Sequence, residues 1–356
     1  MPLVAHRELE SLDRLRAEGQ EILDVRRASQ QDIRELHIGL LNLMPDGALK
    51  ATERQFLRLI GNSNRIAQFY VHIFTVPGVP RSADMQAYID SHYENFDDLA
   101  RDGLDAIIFT GTNPMHADLA QEAYWPHVQR VFDWADKNVT SVLCSCLASH
   151  LALQHFHGIA RQRRENKLFG VFNHRVLDRS HPMLANINTR FDMPHSRWNG
   201  ISAAQLEAHG LPVLVVGEES GVAMASSPDG FRQIYFQGHP EYDRSSLLKE
   251  FRRDVQLYSE GALPRPPKLP VHYFSPAGQR LIRDYIESGR PISDFPEAAL
   301  LEEVDVTWRD TAKALFANWL GLVYQLTHQD RRLQFMDGID PADPLGRLMA
   351  DCLHKV

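Results

Sequence analysis

The chain has 356 residues, of which 44% are hydrophobic and 24% charged, close to the average for soluble globular proteins. No apolar run approaches the ~18 residues of a membrane span, which leaves no membrane partner, and 46 acidic against 38 basic residues (net charge −8) argue against a general nucleic-acid or membrane-surface binder. Three cysteines are too few for a disulfide framework and the opening lacks the basic-then-apolar order of a secretory signal, so a cytoplasmic enzyme is expected.

Residues 1–36 are charged and helix-forming and read as an N-terminal helical arm. From His37 the pattern changes. His37–Leu43, Gln68–Thr75, Asp105–Thr110 and Val139–Cys144 are short apolar runs bounded by polar or turn residues, as expected for strands covered on both faces. Helices are predicted between them: one opened by a Thr52/Gln55 capping box, one over Ala117–Ala135 and one over Leu147–His157. The alternation predicts βαβ units, hence an α/β fold with a doubly wound, mostly parallel sheet flanked by helices, flavodoxin-like in layout. After Gly158, Val171–Leu177, Val213–Gly217, Val222–Ser226 and Gln233–Gln237 read as strands, and Arg244–Ser259 as the helix that closes a catalytic domain spanning 37–260. Five prolines in the sixteen residues of 261–276 make a stiff connector, which with a helix fills 261–308. In 309–356, Ala312, Leu315, Phe316, Trp319, Leu320 and Val323 form a helical stripe that packs on the same core, with a tail behind it.

In a parallel sheet, ligands bind beyond the carboxyl ends of the strands. There VTSVLCSC runs straight into LASHLALQHF, so Cys146 stands at a strand-to-helix turn. Helix N-termini stabilise anions, which favours a nucleophilic thiolate, and the Leu147 amide is the natural first oxyanion donor. The plain alternative is a buried cysteine packed as a small apolar residue, which is the reading for Cys144; Cys352 receives no role. A nucleophile needs a base and a group to orient it. In QIYFQGHPEYD, His239 and Glu241 flank a proline, so in extended chain they project to one side and Glu241 can hold the imidazole. With seventeen histidines, a solvated loop side chain is an equal reading. His150 is the rival base and has no evident carboxylate partner. No metal is expected: Cys144-x-Cys146 is too tight for a zinc knuckle, and His155-x-His157 has no partners nearby in sequence. Neither GxGxxG nor a P-loop occurs.

Several collinear motifs carry a resemblance: RASQQDIRELHIGLLNLMP from Arg27, AYWP, VTSVLCSCLA, ENKLFGVFNH, MPHSRW, GHPEYD, EFRRDV and ANWLGLVYQLT. Together they resemble the homoserine O-acyltransferase family of methionine biosynthesis, the homoserine O-succinyltransferase and O-acetyltransferase branch on a class I glutamine-amidotransferase-like fold. The resemblance implies an acyl-enzyme on Cys146, His239 as general base, Glu241 as its orienting group, and substrate contacts from Lys167, Ser196 and Arg253. It also implies L-homoserine and an acyl-CoA as substrates, no cofactor beyond succinyl-CoA as co-substrate, and a homodimer. For the last three residues the plain readings are a surface lysine, a loop hydroxyl and a solvated helix charge. Leu247, Leu248, Phe251 and Val255 would mark the buried face of the helix, with Arg253 nearly opposite. Met115 matches the position that in the family influences the acyl donor, where Glu favours acetyl-CoA and Gly is compatible with succinyl-CoA. Met115 lacks the charge that would repel a succinyl carboxylate, although it occupies volume that Gly would leave open. The expectation is therefore succinyl transfer to homoserine, with acetyl-CoA as donor or serine as acceptor as alternatives. A glutamine amidotransferase and a non-catalytic metabolite sensor are the remoter ones.

Overall fold

The computed structural model describes residues 3–20, 22–30, 33–64 and 67–346, so Cys352 and the end of the tail lie outside the described residues. The first half of the chain contains β1 (Leu3–Ala5), α1 (Glu10–Ala17), β2 (Ile22–Asp24), α2 (Val25–Ala28), β3 (Glu35–Leu41) and α3 (Asp46–Ser63). These are followed by β4 (Gln68–Phe74), α4 (Ala83–His92), α5 (Phe96–Asp102), β5 (Ala106–Phe109), α6 (Trp125–Asn138), β6 (Ser141–Ser145) and α7 (Leu147–His157). The second half contains β7 (Gln162–Val176), β8 (Arg190–Gly200), α8 (Ala203–Glu207), β9 (Val213–Gly217), β10 (Gly221–Ser226) and β11 (Gln233–Phe236). It ends with α9 (Ser246–Ser259), α10 (Pro276–Glu287), α11 (Glu297–Glu302) and α12 (Arg309–Leu326).

These strands form one sheet in the order β2-β1-β4-β3-β5-β6-β11-β10-β9-β7-β8. Neighbours are parallel from β2 to β11 and antiparallel from β11 to β8. The expected mostly parallel α/β sheet is thus the observed one. Alternation along the strands divides the core into two layers. Ile38, Leu40, Ile108 and Leu143 face α1, α3 and α12, whereas Leu41, Ile107, Phe109, Val142 and Cys144 face α6 and α7. A third cluster joins Phe169 and Val171 of β7 to α9, α10 and α11. Among the described residues no helix is long and apolar enough to cross a membrane.

Several elements differ from expectation, each for a physical reason. Residues 3–28 are not a helical arm alone: β1 and β2 add two parallel strands at the sheet edge, and Leu9, Leu12 and Leu15 are buried with α3 and α12. The predicted capping box is wrong. α3 opens at Asp46, after Pro45, which leaves Thr52 and Gln55 buried in mid-helix. Residues 117–124 do not join α6, because Pro126 lacks an N–H and suits only a first helical turn. β8 escaped notice because Pro194 interrupts it; as the sheet's last strand it has an edge where the missing N–H costs nothing. Finally, the proline-rich stretch crosses β7 at Gly170, whose φ of +148° and want of a side chain let Val271 exchange hydrogen bonds with Phe169 and Val171. A Cβ on Gly170 would stand 2.2 Å from the Val271 carbonyl oxygen.

Candidate active site

Cys146 occupies the single-residue joint between β6 and α7 with φ 52° and ψ −112°, a conformation that few non-glycine residues adopt. The surroundings impose it. The Cys146 amide donates to the Phe236 carbonyl of β11 at 2.7 Å, and the Ser149 amide donates to the Cys146 carbonyl at 3.0 Å. Ser149 Oγ, which can donate only one proton, lies 2.8 Å from both the Cys144 and the Phe236 carbonyls and ties the elbow to both strands. The thiol is partly exposed, whereas Cys144 is fully buried on β6 and its thiol pKa is pushed up by burial. The Leu147 amide opens α7 beside the sulfur. Gly111, just past β5, approaches the same place: a Cβ there would lie 3.4 Å from the Leu147 nitrogen and 3.6 Å from Cys146 Cβ. The bare glycine leaves the space in front of the Leu147 amide and the Cys146 side chain unfilled. Spacing did not single out Gly111; its signal was the Thr-Gly pair at a strand end.

β11 runs parallel to β6 and delivers His239 to the same edge. His239 is buried; its amide donates to the Pro194 carbonyl at 2.8 Å and its ring stacks on Tyr242 at 4.1 Å. Nδ1 lies 2.7 Å from Glu241 Oε1, which also accepts from Ser145 Oγ at 3.3 Å. Nε2 has no hydrogen-bond partner among the described residues, and the imidazole feels the charge of Cys146. Burial alone would lower the His239 pKa. The charges on Cys146 and Glu241, with the hydrogen bond to Glu241, outweigh it and hold the pKa well above the ordinary histidine value. The structure therefore brings Cys146, His239 and Glu241 together. His150 has a different setting: it is buried against Gln237 (Nε2 to Oε1 3.3 Å), and burial, with Arg197 adding to it, pushes it down to about 3.

Gly238 shows how tightly His239 is seated. A Cβ there would lie 2.3 Å from Met193 Sδ and 3.0 Å from His195 Cε1. Gly238→Ala should therefore cost about 1–3 kcal/mol in a denaturant titration by overpacking, and Met193→Ala in the same chain should restore part of the loss. A Gly238→Ala chain with an unmoved midpoint would contradict this packing.

A polar network extends from the His239 ring. Tyr242 donates to Glu250 Oε1 at 2.8 Å, Ser196 Oγ donates to Glu250 Oε2 at 2.5 Å, and Lys167 Nζ lies 3.4 Å from Glu250 and 3.6 Å from Asp254. Lys167 and Ser196 are thus neighbours through Glu250, a hub that the sequence reading missed because glutamates are common on exposed helix faces. Arg253 is more than half exposed and donates from Nε and Nη2 to Asp254 Oδ1 at 3.1 and 2.8 Å, so it joins the network only through Asp254. Met115 is exposed, on a loop fastened by Arg161 to the His116 and Ala117 carbonyls and by Glu122 to the His116 amide. A second residue missed is Arg197, in the quoted MPHSRW. It is buried, donates to the Ser220 carbonyl at 2.6 Å, and feels the Cys146 charge; burial still holds its pKa down to about 10. With Arg163, Arg164 and Ser202 it lines a cleft of about 320 Å³.

Sequence comparisons with known proteins agree on one family. A family model described as homoserine O-succinyltransferase matches residues 2–329. The homoserine O-succinyltransferase of Cardiobacterium hominis is 93% identical over 348 residues, covering 98% of this chain and 99% of that protein. That of Methylobacter tundripaludum is 54% identical over 353 residues, covering 97% of this chain and all of the other. Among solved structures, a glutamine amidotransferase from Thermotoga maritima is similar over 82% of this chain and 98% of its own, with 12% identity and a TM-score of 0.43. The chain belongs to the homoserine O-succinyltransferase family.

Proposed function

We propose that this acyltransferase moves a succinyl group from succinyl-CoA to the hydroxyl of L-homoserine through a thioester on Cys146, giving O-succinyl-L-homoserine and CoA. One observation supports the reading above the others: at the end of the parallel sheet the buried His239 imidazole is held through Nδ1 by the Glu241 carboxylate and feels the charge of Cys146. The thiolate attacks the thioester carbonyl, and the Leu147 amide beside Gly111 receives the oxyanion. CoA leaves as a thiolate and takes the proton from the His239 imidazolium. Acylation removes the thiolate charge, one of the two charges that hold the His239 pKa up, so the neutral imidazole that remains is the base the second step requires. It takes the homoserine hydroxyl proton as that oxygen attacks the acyl-enzyme. Cys146 leaves as thiolate and the ion pair is restored, so the proton cycle closes on His239. Arg163, Arg164 and Arg197 offer positive charge to the phosphates of an acyl-CoA, and the network of Lys167, Ser196, Glu250 and Asp254 offers partners for an amino acid's ammonium and carboxylate.

The test is intact-mass analysis of the purified chain mixed with succinyl-CoA or acetyl-CoA alone, followed by product analysis with homoserine or serine. The expected result is one succinyl adduct, mapped to Cys146 and discharged by homoserine. An acetyl adduct, discharge by serine, or a chain that turns over without an adduct would each point to a different reaction.

A further inference from the structure

Away from Cys146, three segments distant in sequence bring a second set of reactive groups together. His6 follows β1, His72 lies on the neighbouring β4, and Glu94 lies between α4 and α5. One donor atom from each lies within 4.8 Å of the others. Both ring nitrogens of each histidine are engaged. His6 Nδ1 is 3.2 Å from the Val4 carbonyl and its Nε2 is 3.4 Å from Glu94 Oε1. His72 Nδ1 is 3.0 Å from the same Oε1, and its Nε2 is 2.8 Å from His37 Nδ1. His37 Nε2 in turn is 3.1 Å from Glu35 Oε1.

Counting protons exposes the problem. These contacts number five, and three neutral imidazoles carry three protons, so two contacts set lone pair against lone pair. The Val4 carbonyl only accepts, which fixes the His6 proton on Nδ1 and leaves Nε2 bare towards Glu94. Passing the other two protons along His72 to His37 and His37 to Glu35 leaves the second bare contact on Glu94 as well. Two added protons would fill the gaps, but they would charge two of three imidazoles whose ring centres lie 4.7 and 5.0 Å apart. A single divalent cation fills both gaps at once.

We propose that His6, His72 and Glu94 bind a divalent transition-metal cation, zinc fitting best, which fastens the N-terminal strand to the body of the sheet. Zinc–ligand bonds of about 2.0 Å put tetrahedral donor atoms roughly 3.3 Å apart, and the two contacts to Glu94 Oε1 measure 3.4 and 3.0 Å. Two imidazoles and a carboxylate with a remaining position for water suit zinc. The outer contacts also match: His6 hands its other N–H to a carbonyl, and His72 hands its own to a histidine anchored on Glu35, which orients both rings. Arg7 Nε lies 3.2 Å from Glu94 Oε1, and its half-exposed side chain is free to swing away as a cation enters. The sequence reading weighed only close-spaced histidines and cysteines, and these ligands come from three separate segments.

The full-length chain is dialysed against EDTA and titrated calorimetrically with Zn²⁺. The Cys146→Ala background removes the thiolate that would compete for the metal. One zinc per chain is expected, with affinity at least tenfold weaker in His6→Gln and His72→Gln, while their melting temperatures in EDTA stay near that of the parent. Arg7→Ala removes the competing guanidinium and should tighten binding several-fold. Absence of stoichiometric binding, unchanged affinity in the two histidine variants, or weaker binding in Arg7→Ala would overturn the proposal.

Discussion

Cys146→Ala should abolish the acyl adduct and reduce succinyl transfer on the order of 10⁴-fold or more, with the far-UV spectrum unchanged. Alanine keeps the elbow, whose φ of 52° is imposed by the amide bond to Phe236 and by Ser149, but supplies no nucleophile. His239→Gln should be nearly as damaging, and the double variant no worse than either single one, because nucleophile and base act as a unit. The substitution also carries a sign that can be read without turnover. With the sulfur gone, His239 loses one of the charges that raise its pKa, so its proton should leave at lower pH in an NMR titration. An unshifted His239 resonance would mean that sulfur and imidazole do not sense each other, and the proposed chemistry would fail with it.

Glu241→Gln ranks next. The amide can still reach Nδ1, so geometry is largely kept while the charge is lost. The ion pair is favoured because Cys146 and Glu241 together overcome the burial of His239; removing one charge lets burial gain and lowers the His239 pKa. Less imidazolium then remains near neutral pH to stabilise the thiolate. Iodoacetamide labelling of Cys146 at pH 6–7 should slow about tenfold, and turnover should fall roughly 10²–10⁴-fold. Besides His239, the Glu241 carboxylate meets Ser145 Oγ at 3.3 Å, a bond the amide oxygen of glutamine can also accept, so the thermal midpoint should move modestly. Labelling at an unchanged rate would separate Glu241 from the chemistry.

The legible parts of this molecule are those whose pattern is local. The apolar runs that became β3, β4, β5 and β6 read as strands because both their faces are buried, and the stripe of α12 read as a helix because it meets α3 across a single layer. Cys146 was legible as a strand-to-helix joint, and His239 with Glu241 as two residues flanking a proline. β8 was not: Pro194 belongs in a strand only if the strand lies at an edge, and its place in the sheet is a long-range fact. The N-terminal strands were hidden for a similar reason. Segments as short as Leu3–Ala5 and Ile22–Asp24 carry no period of their own and become strands only by pairing with each other and with β4.

Residue order alone determined the layered α/β architecture and the family, because hydrophobic periodicity and collinear motifs are written along the chain. Tertiary structure decided which polar groups meet. It placed Glu250 between Lys167, Ser196 and Tyr242, set Gly111 against the Leu147 amide, and brought His6, His72 and Glu94 within bonding range of one cation. The physical reason is that such contacts depend on strand order and register. These are set by burying apolar surface over the whole sheet and leave no trace in the spacing of the polar residues they bring together.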